Sequence, residues 1–151
     1  MKINQYGLNV PNILVKENDF EYSEQNLNQP KYIVEMMNSV FSLDKKAEEY
    51  MYLLALNTKC VPVGVFEISH GTVNSSLCSP REILIRALLV GATGIILIHN
   101  HPSGDVSLSK QDIESTNRIK SACEIIQIDL LDHIIIGSDK FYSMRQEGVI
   151  S

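Results

Sequence analysis

The stretch Gly94-Ile-Ile-Leu-Ile-His99-Asn-His101-Pro-Ser-Gly-Asp105-Val-Ser-Leu-Ser109-Lys-Gln-Asp112 decides how the rest of the chain is read. An apolar run from Ile95 to Ile98 stops at His99-Asn100-His101-Pro102, a Gly- and Ser-containing loop follows, and Ser109 with Asp112 opens a helical pattern. Strand side chains alternate with period two, so His99 and His101 point the same way. Asp112 follows eleven residues after His101 and can be returned to the histidines by the loop. Two imidazoles and one carboxylate are the ligand set of an open zinc site, with water in the fourth position. Simpler readings exist for the parts. Ser109-x-x-Asp112 is a helix N-cap with an acidic third residue, and a His-x-His pair can be mere surface. The conjunction, His-x-His-Pro then Ser and Asp at fixed offsets, should arise on the order of once in ten million starting positions at average residue usage.

Working outward, Ser79-Pro80-Arg81-Glu82 reads as a helix start with Ser as cap, Pro at the first position and Glu completing a capping box. That helix runs to about Gly91 and is followed by the central strand that delivers His99. Glu49 to Leu56 reads as a buried strand, Asn57-Thr58-Lys59 as a turn, and Val61 to Ile68 as its hairpin partner, broken by His70-Gly71-Thr72. His70 is read as a loop residue. Beyond Asp112 a helix is expected to about Ile126, then a strand over Ile128–Ile136, a turn at Gly137–Lys140 and a last strand at Phe141–Met144. Asn100 should point away from the histidines and satisfy backbone in the turn, and His133 should be a hydrogen-bonded core residue or support the site indirectly rather than ligate. Residues 1–29 are weakly patterned, with one short strand near Asn12–Lys16. Pro30 opens a helix carrying Tyr32, Ile33, Met36, Met37, Val40 and Phe41 at helical spacing, and Asp44-Lys45-Lys46 ends it. The fold class is α/β, a mixed β-sheet with helices packed on it. Ligands in such folds collect at the carboxyl ends of strands, where the histidines lie.

The chain has 151 residues, 44% hydrophobic and 21% charged, which fits one globular domain. Lys+Arg 13 against Asp+Glu 18 leaves a net charge of −5, giving no general attraction to nucleic-acid phosphates. Cys60, Cys78 and Cys123 are far apart and form no Cys-x-x-Cys pair, so a disulfide framework or thiolate metal site is not expected. No apolar leader or membrane-length tract stands out. A cytoplasmic location without membrane contact is the expectation.

His99-Asn100-His101-Pro102 through Ser109 and Asp112 resembles the JAMM motif of JAB/MPN metallopeptidases. His-Asn-His-Pro-Ser-Gly-Asp is similar to the RadC branch of that family, as are Gly71-Thr72, the Pro80-Arg81-Glu82 helix start and Leu131-Asp132-His133 before Gly137. The resemblance covers roughly residues 45–150. It implies a single JAB/MPN-like domain with a cytidine-deaminase-like arrangement over 44–151. Residues 1–43 are read as an N-terminal extension, a short strand and a helix packed on that domain. It also implies one Zn2+ per chain held by His99, His101 and Asp112, with an upstream Glu as general acid/base. Glu49 fits better than Glu48, which would face the other side of the strand. Ser109 would stabilise an oxyanion beside the zinc. The implied activity is hydrolysis of a peptide or isopeptide bond in a protein substrate.

Two departures stand out. Residues 1–43 lack the pattern of the helix-hairpin-helix region found upstream in RadC proteins. Val106-Ser107-Leu108 also stands where relatives have prolines, which predicts a less stiff loop with unchanged chemistry. Two other functions compete. One is a DNA-repair or mobile-element role on or near DNA, disfavoured by the acidic balance. The other is a non-catalytic interaction module, disfavoured because the ligand set is whole. A homo-oligomer stays open. An HNH nuclease would spread its residues over a ββα element, and a zinc deaminase would need His-x-Glu with a later Pro-Cys-x-x-Cys, which this chain lacks.

Overall fold

All seven residues of Gly94–Asn100 are buried, so both sides of that strand must be covered. The computed structural model, which describes residues 1–23, 27–71 and 79–150, meets that requirement with three layers. The elements are β1 (Lys2–Asn9), β2 (Ile13–Glu21), α1 (Pro30–Phe41), a 3-10 turn (Leu43–Lys45), β3 (Glu49–Leu56), β4 (Pro62–Gly71), α2 (Pro80–Leu89), β5 (Gly94–Asn100), α3 (Lys110–Ile126), β6 (Asp129–Ile136) and β7 (Phe141–Ser143). The strands form one mixed sheet in the order β2-β1-β4-β3-β5-β6-β7.

Alternation assigns the two faces. Tyr52, Leu54, Leu56, Ile96, Ile98, Ile134 and Ile136 meet Ile33, Met36, Met37 and Phe41 of α1. On the other face Met51, Leu53, Ala55, Ile95 and Leu97 meet Ile83 and Ala87 of α2 and Ile119 and Cys123 of α3. Burial pushes the Cys123 thiol up to about 11, which makes it a poor nucleophile. Cys60 is exposed, and Cys78 lies outside the described residues.

The α/β class, the single mixed sheet and the helix starts at Pro30 and Pro80 agree with the sequence reading. Three local readings change. The N-terminal segment holds two strands rather than one: β1 and β2 pair antiparallel, and β1 then lies parallel to β4 through Gln5 and Tyr6. The strand expected to break at His70 continues to Gly71, because β3 pairs with it as far as Glu49 opposite Gly71. His70 is therefore a strand residue, stacked on Tyr50 at 5.0 Å and paired with Glu67 at 3.3 Å; Thr72 lies outside the described residues. At α2, Ser79 Oγ accepts from Glu82 N, but the Glu82 carboxylate is directed to Arg86 at 3.0 Å instead of completing a box. Among the described residues no helix is long and apolar enough to cross a membrane, which says nothing of a β-barrel.

Candidate metal centre

The site forms where β5 ends between β3 and β6. β3 runs antiparallel to β5, with Met51 opposite His99, and β6 runs parallel to it, with Ile135 beside His99. His99 and His101 share the face that carries Met51 and Leu97, so both imidazoles project toward the α3 side. Their Nε2 atoms stand 3.0 Å apart. The His101 backbone N–H donates to Ile136 O at 2.9 Å, and its ring Nδ1 lies 2.8 Å from Asp105 O. A carbonyl can only accept, so His101 Nδ1 carries a proton and Nε2 is the atom it offers to the site.

Asp112 arrives by a local mechanism. Ser109 Oγ accepts from Asp112 N at 2.9 Å, and Ser109 N donates to Asp112 Oδ2 at 3.1 Å, a reciprocal capping box. The box locks the carboxylate against the first turn. Asp112 Oδ1 lies 3.5 Å from His99 Nε2, and Oδ2 lies 3.7 Å from His101 Nε2. The connecting loop is held by its own contacts. Val106 and Leu108 pack against Ile135, Met144 and Ile150, and Asp105 Oδ1 accepts from Ser107 N and Ser107 Oγ.

Glu49 comes from the start of β3, fifty residues before His99 in the chain. Its carboxylate is 6% exposed, with Oε1 3.8 Å from His99 Nε2, whereas Glu48 is exposed. The side chain of Asn100 fixes this strand end. Asn100 Oδ1 accepts from Tyr50 N at 2.6 Å and its Nδ2 donates to Glu48 O at 3.0 Å, so the backbone is held on both sides of Glu49. The sequence reading had Asn100 satisfying its own turn. It faces away from the histidines as expected, but it serves the neighbouring strand.

Two further residues lie behind His99. His99 Nδ1 is 2.7 Å from His133 Nε2, and His133 Nδ1 is 2.6 Å from Thr116 Oγ1. His133 thus touches a histidine of the site without entering it. Thr116 was not singled out from the sequence, although it follows Asp112 by one helical turn, the spacing that puts two residues on one face.

Glu49, His99 and His101 each offer a ligand atom within 4.8 Å of one another, and these three could hold a metal ion. Asp112 adds a fourth donor at 3.5 Å from His99. The donor chemistry fits a cation: two imidazole nitrogens and two carboxylates converge in a largely buried place, where like dipoles repel unless a positive charge lies between them. Burial, then His133, drives the His99 pKa well below the usual histidine value. The Asp112 carboxylate raises His101 against burial. Burial would raise Asp112, but His101, His99 and Ser109 outweigh it and hold Asp112 below the ordinary carboxylate range. Glu49 goes the other way, raised by burial against the pull of His101. A cleft of about 550 Å³ opens beside these groups, lined by residues that include Glu48, Pro102, Ser103, Ser109 and Gln111.

A mixed-sheet α/β domain with His-x-His at a central strand end and a carboxylate at the next helix start is the architecture in hand. The chain matches the RadC-like JAB domain over residues 27–149 and belongs to that family. A UPF0758 protein of Clostridium botulinum is 47% identical over 103 residues, covering 68% of this chain and 45% of that relative. One from the Alaska E43 strain of that species is 44% identical over 121 residues, 80% of this chain and 52% of the relative. A UPF0758 protein of Chlorobium phaeovibrioides is 45% identical over 106 residues, 70% and 48% respectively. The chain therefore spans about half the length of these curated relatives.

Proposed function

We propose that the chain is a zinc-dependent hydrolase that cleaves a peptide or isopeptide bond, with His99, His101 and Asp112 as zinc ligands and Glu49 as general acid/base. The observation that carries this is the convergence of the two imidazoles with two carboxylates, Asp112 locked by its capping box 3.5 Å from His99 Nε2 and Glu49 3.8 Å from the same nitrogen. The partners of Asp112 pull it below the ordinary carboxylate range and burial raises Glu49, the directions that suit a ligand and a general base. Donor separations support the same reading. Ligands about 2.0–2.1 Å from a tetrahedral zinc stand about 3.3–3.4 Å from one another, and the separations here are 3.0, 3.5 and 3.7 Å among His99, His101 and Asp112.

Bound zinc would supply Lewis-acid charge and lower the pKa of a water beside it. Glu49 Oε1 takes the proton of the attacking water and later gives it to the leaving amine nitrogen. Ser109 Oγ accepts from Asp112 N, so its own O–H is free to donate to the oxyanion of the tetrahedral intermediate. Among the described lining residues the cleft offers Glu48, Glu49 and Asp112 and no Lys or Arg. That suits a neutral or cationic peptide segment better than a phosphate backbone.

The test compares wild type, Glu49→Ala and Asp112→Ala for zinc content, for cleavage of peptide and isopeptide libraries, and for cleavage of single- and double-stranded DNA. Zinc should persist in Glu49→Ala and be lost from Asp112→Ala, with peptide cleavage abolished in both. DNA cleavage without peptide cleavage, or wild type that does not retain stoichiometric zinc, would overturn the reading.

A further inference from the structure

We infer that Thr116 and His133 are positioning residues which, through a one-way hydrogen-bond chain ending on the Asp112 carbonyl, hold His99 as the tautomer whose bare Nε2 faces the metal centre. The inference rests on the metal-site reading above, and its direction follows from donor and acceptor capacity along a buried chain of contacts.

The chain begins at a group that cannot donate. Thr116 Oγ1 donates to Asp112 O at 2.6 Å, so its single hydroxyl proton is committed there. Toward His133 the hydroxyl can then only accept, and His133 Nδ1, at 2.6 Å, must carry the proton. His133 is 2% exposed and its ring contacts are the Thr116 hydroxyl and His99, so the imidazole whose proton sits on Nδ1 turns a bare Nε2 to His99. That bare Nε2 accepts from His99 Nδ1 at 2.7 Å. His99 Nδ1 therefore holds the proton and Nε2 presents its lone pair toward His101, Asp112 and Glu49. Reversing the chain would require Thr116 to give up the Asp112 carbonyl and His99 to point an N–H into the ligand position.

The arrangement ties two ligands through one helix turn. Asp112 supplies its carboxylate to the centre while its backbone carbonyl, four residues before Thr116, sets the tautomer of His99. Partners of this kind are worth about 10–100-fold in metal affinity where they have been removed from metal-bound histidines.

The test uses the metal-free protein with 15N-labelled histidine, in which two-bond 1H–15N correlations separate Nδ1–H from Nε2–H imidazoles, followed by zinc titration against a chelator. Wild type and Thr116→Ser should both show His99 as Nδ1–H. Thr116→Val, which keeps the volume and removes the hydroxyl, should show Nε2–H signal at His99 and about 10-fold or weaker zinc binding. His133→Gln, which can still accept from His99 Nδ1 through its amide oxygen, should bind zinc closer to wild type than His133→Leu. An Nε2–H tautomer at His99 in wild type would overturn the inference. So would a folded Thr116→Val with unchanged tautomer and affinity, even if wild type binds zinc well. If wild type shows the expected tautomer, and Thr116→Val switches it, but zinc does not bind, the chain of hydrogen bonds stands and the zinc reading fails.

Discussion

Gly137→Ala should damage the candidate metal centre from outside it. Gly137 follows β6 at the point where the 101–108 loop crosses, and its φ is not in the positive region, so alanine meets no backbone strain there. The obstacle is space. A Cβ at Gly137 would stand 2.5 Å from Gly104 O and 2.8 Å from Val106 Cγ1. The closer atom is backbone, so the loop itself has to move. Overpacking of this kind costs about 1–3 kcal/mol, or roughly 3–10 °C in Tm for a chain of this size. The loop carries the Asp105 carbonyl that holds His101 Nδ1 at 2.8 Å, so zinc affinity should fall along with stability. Gly94→Ala is the control. It also has an ordinary φ, but its Cβ would meet Leu131 Cδ1 at 2.9 Å, the tip of a side chain that can turn aside. The stabilising loss of unfolded-chain freedom on Gly→Ala is common to both and cancels in the comparison. Thermal and urea unfolding of the metal-free proteins, with chelator competition for zinc, measures the difference. Equal stability and equal zinc affinity in the two variants would refute the reasoning.

Acid should destabilise the metal-free protein early. Burial lowers His133 to about 4 from 6.5, so the unfolded chain takes up a proton that the native one refuses. Stability is fully present above pH 6.5 and falls as pH drops toward 4, by about 3 kcal/mol for a buried group shifted this far. Urea midpoints at pH 7.5 and 4.5 read the slope, which His133→Gln should flatten; an equal slope in both proteins would contradict the assignment. Asn100→Leu removes a side chain that is itself 2% exposed and with it the partners of Tyr50 N–H and Glu48 C=O, for a loss of about 1–3 kcal/mol by urea unfolding. Asn100→Asp keeps the acceptor for Tyr50 N but sets a carboxylate oxygen, which cannot donate, against Glu48 O in a buried place, so it should lose stability as well; wild-type stability in both variants would mean that Asn100 does not hold the strand around Glu49.

Residues 94–112 carried most of the candidate site in their own letters. Period two put His99 and His101 on one side, and the i, i+3 spacing of Ser109 and Asp112 wrote the capping box that the fold contains. Pro30 and Ser79-Pro80 likewise announced α1 and α2, because a fixed φ and a side-chain acceptor act within one turn of backbone. The N-terminal hairpin was hidden for the opposite reason. Lys16-Glu17-Asn18-Asp19 is polar on both sides of the strand, so nothing in its own pattern marks pairing, and β2 forms because β1, itself paired with β4, offers it a partner. The same holds for what surrounds the histidines. Glu49 could be placed on a strand from the sequence, but only the antiparallel register of β3 with β5 brings it to His99. Asn100 bridging residues 48 and 50, Thr116 directing His133, and Gly137 making room for Gly104 all join segments distant in the chain. Hydrogen bonds and sterics within a few residues are fixed by the local sequence, whereas contacts across the sheet exist only once burial of two apolar faces has set which strands are neighbours.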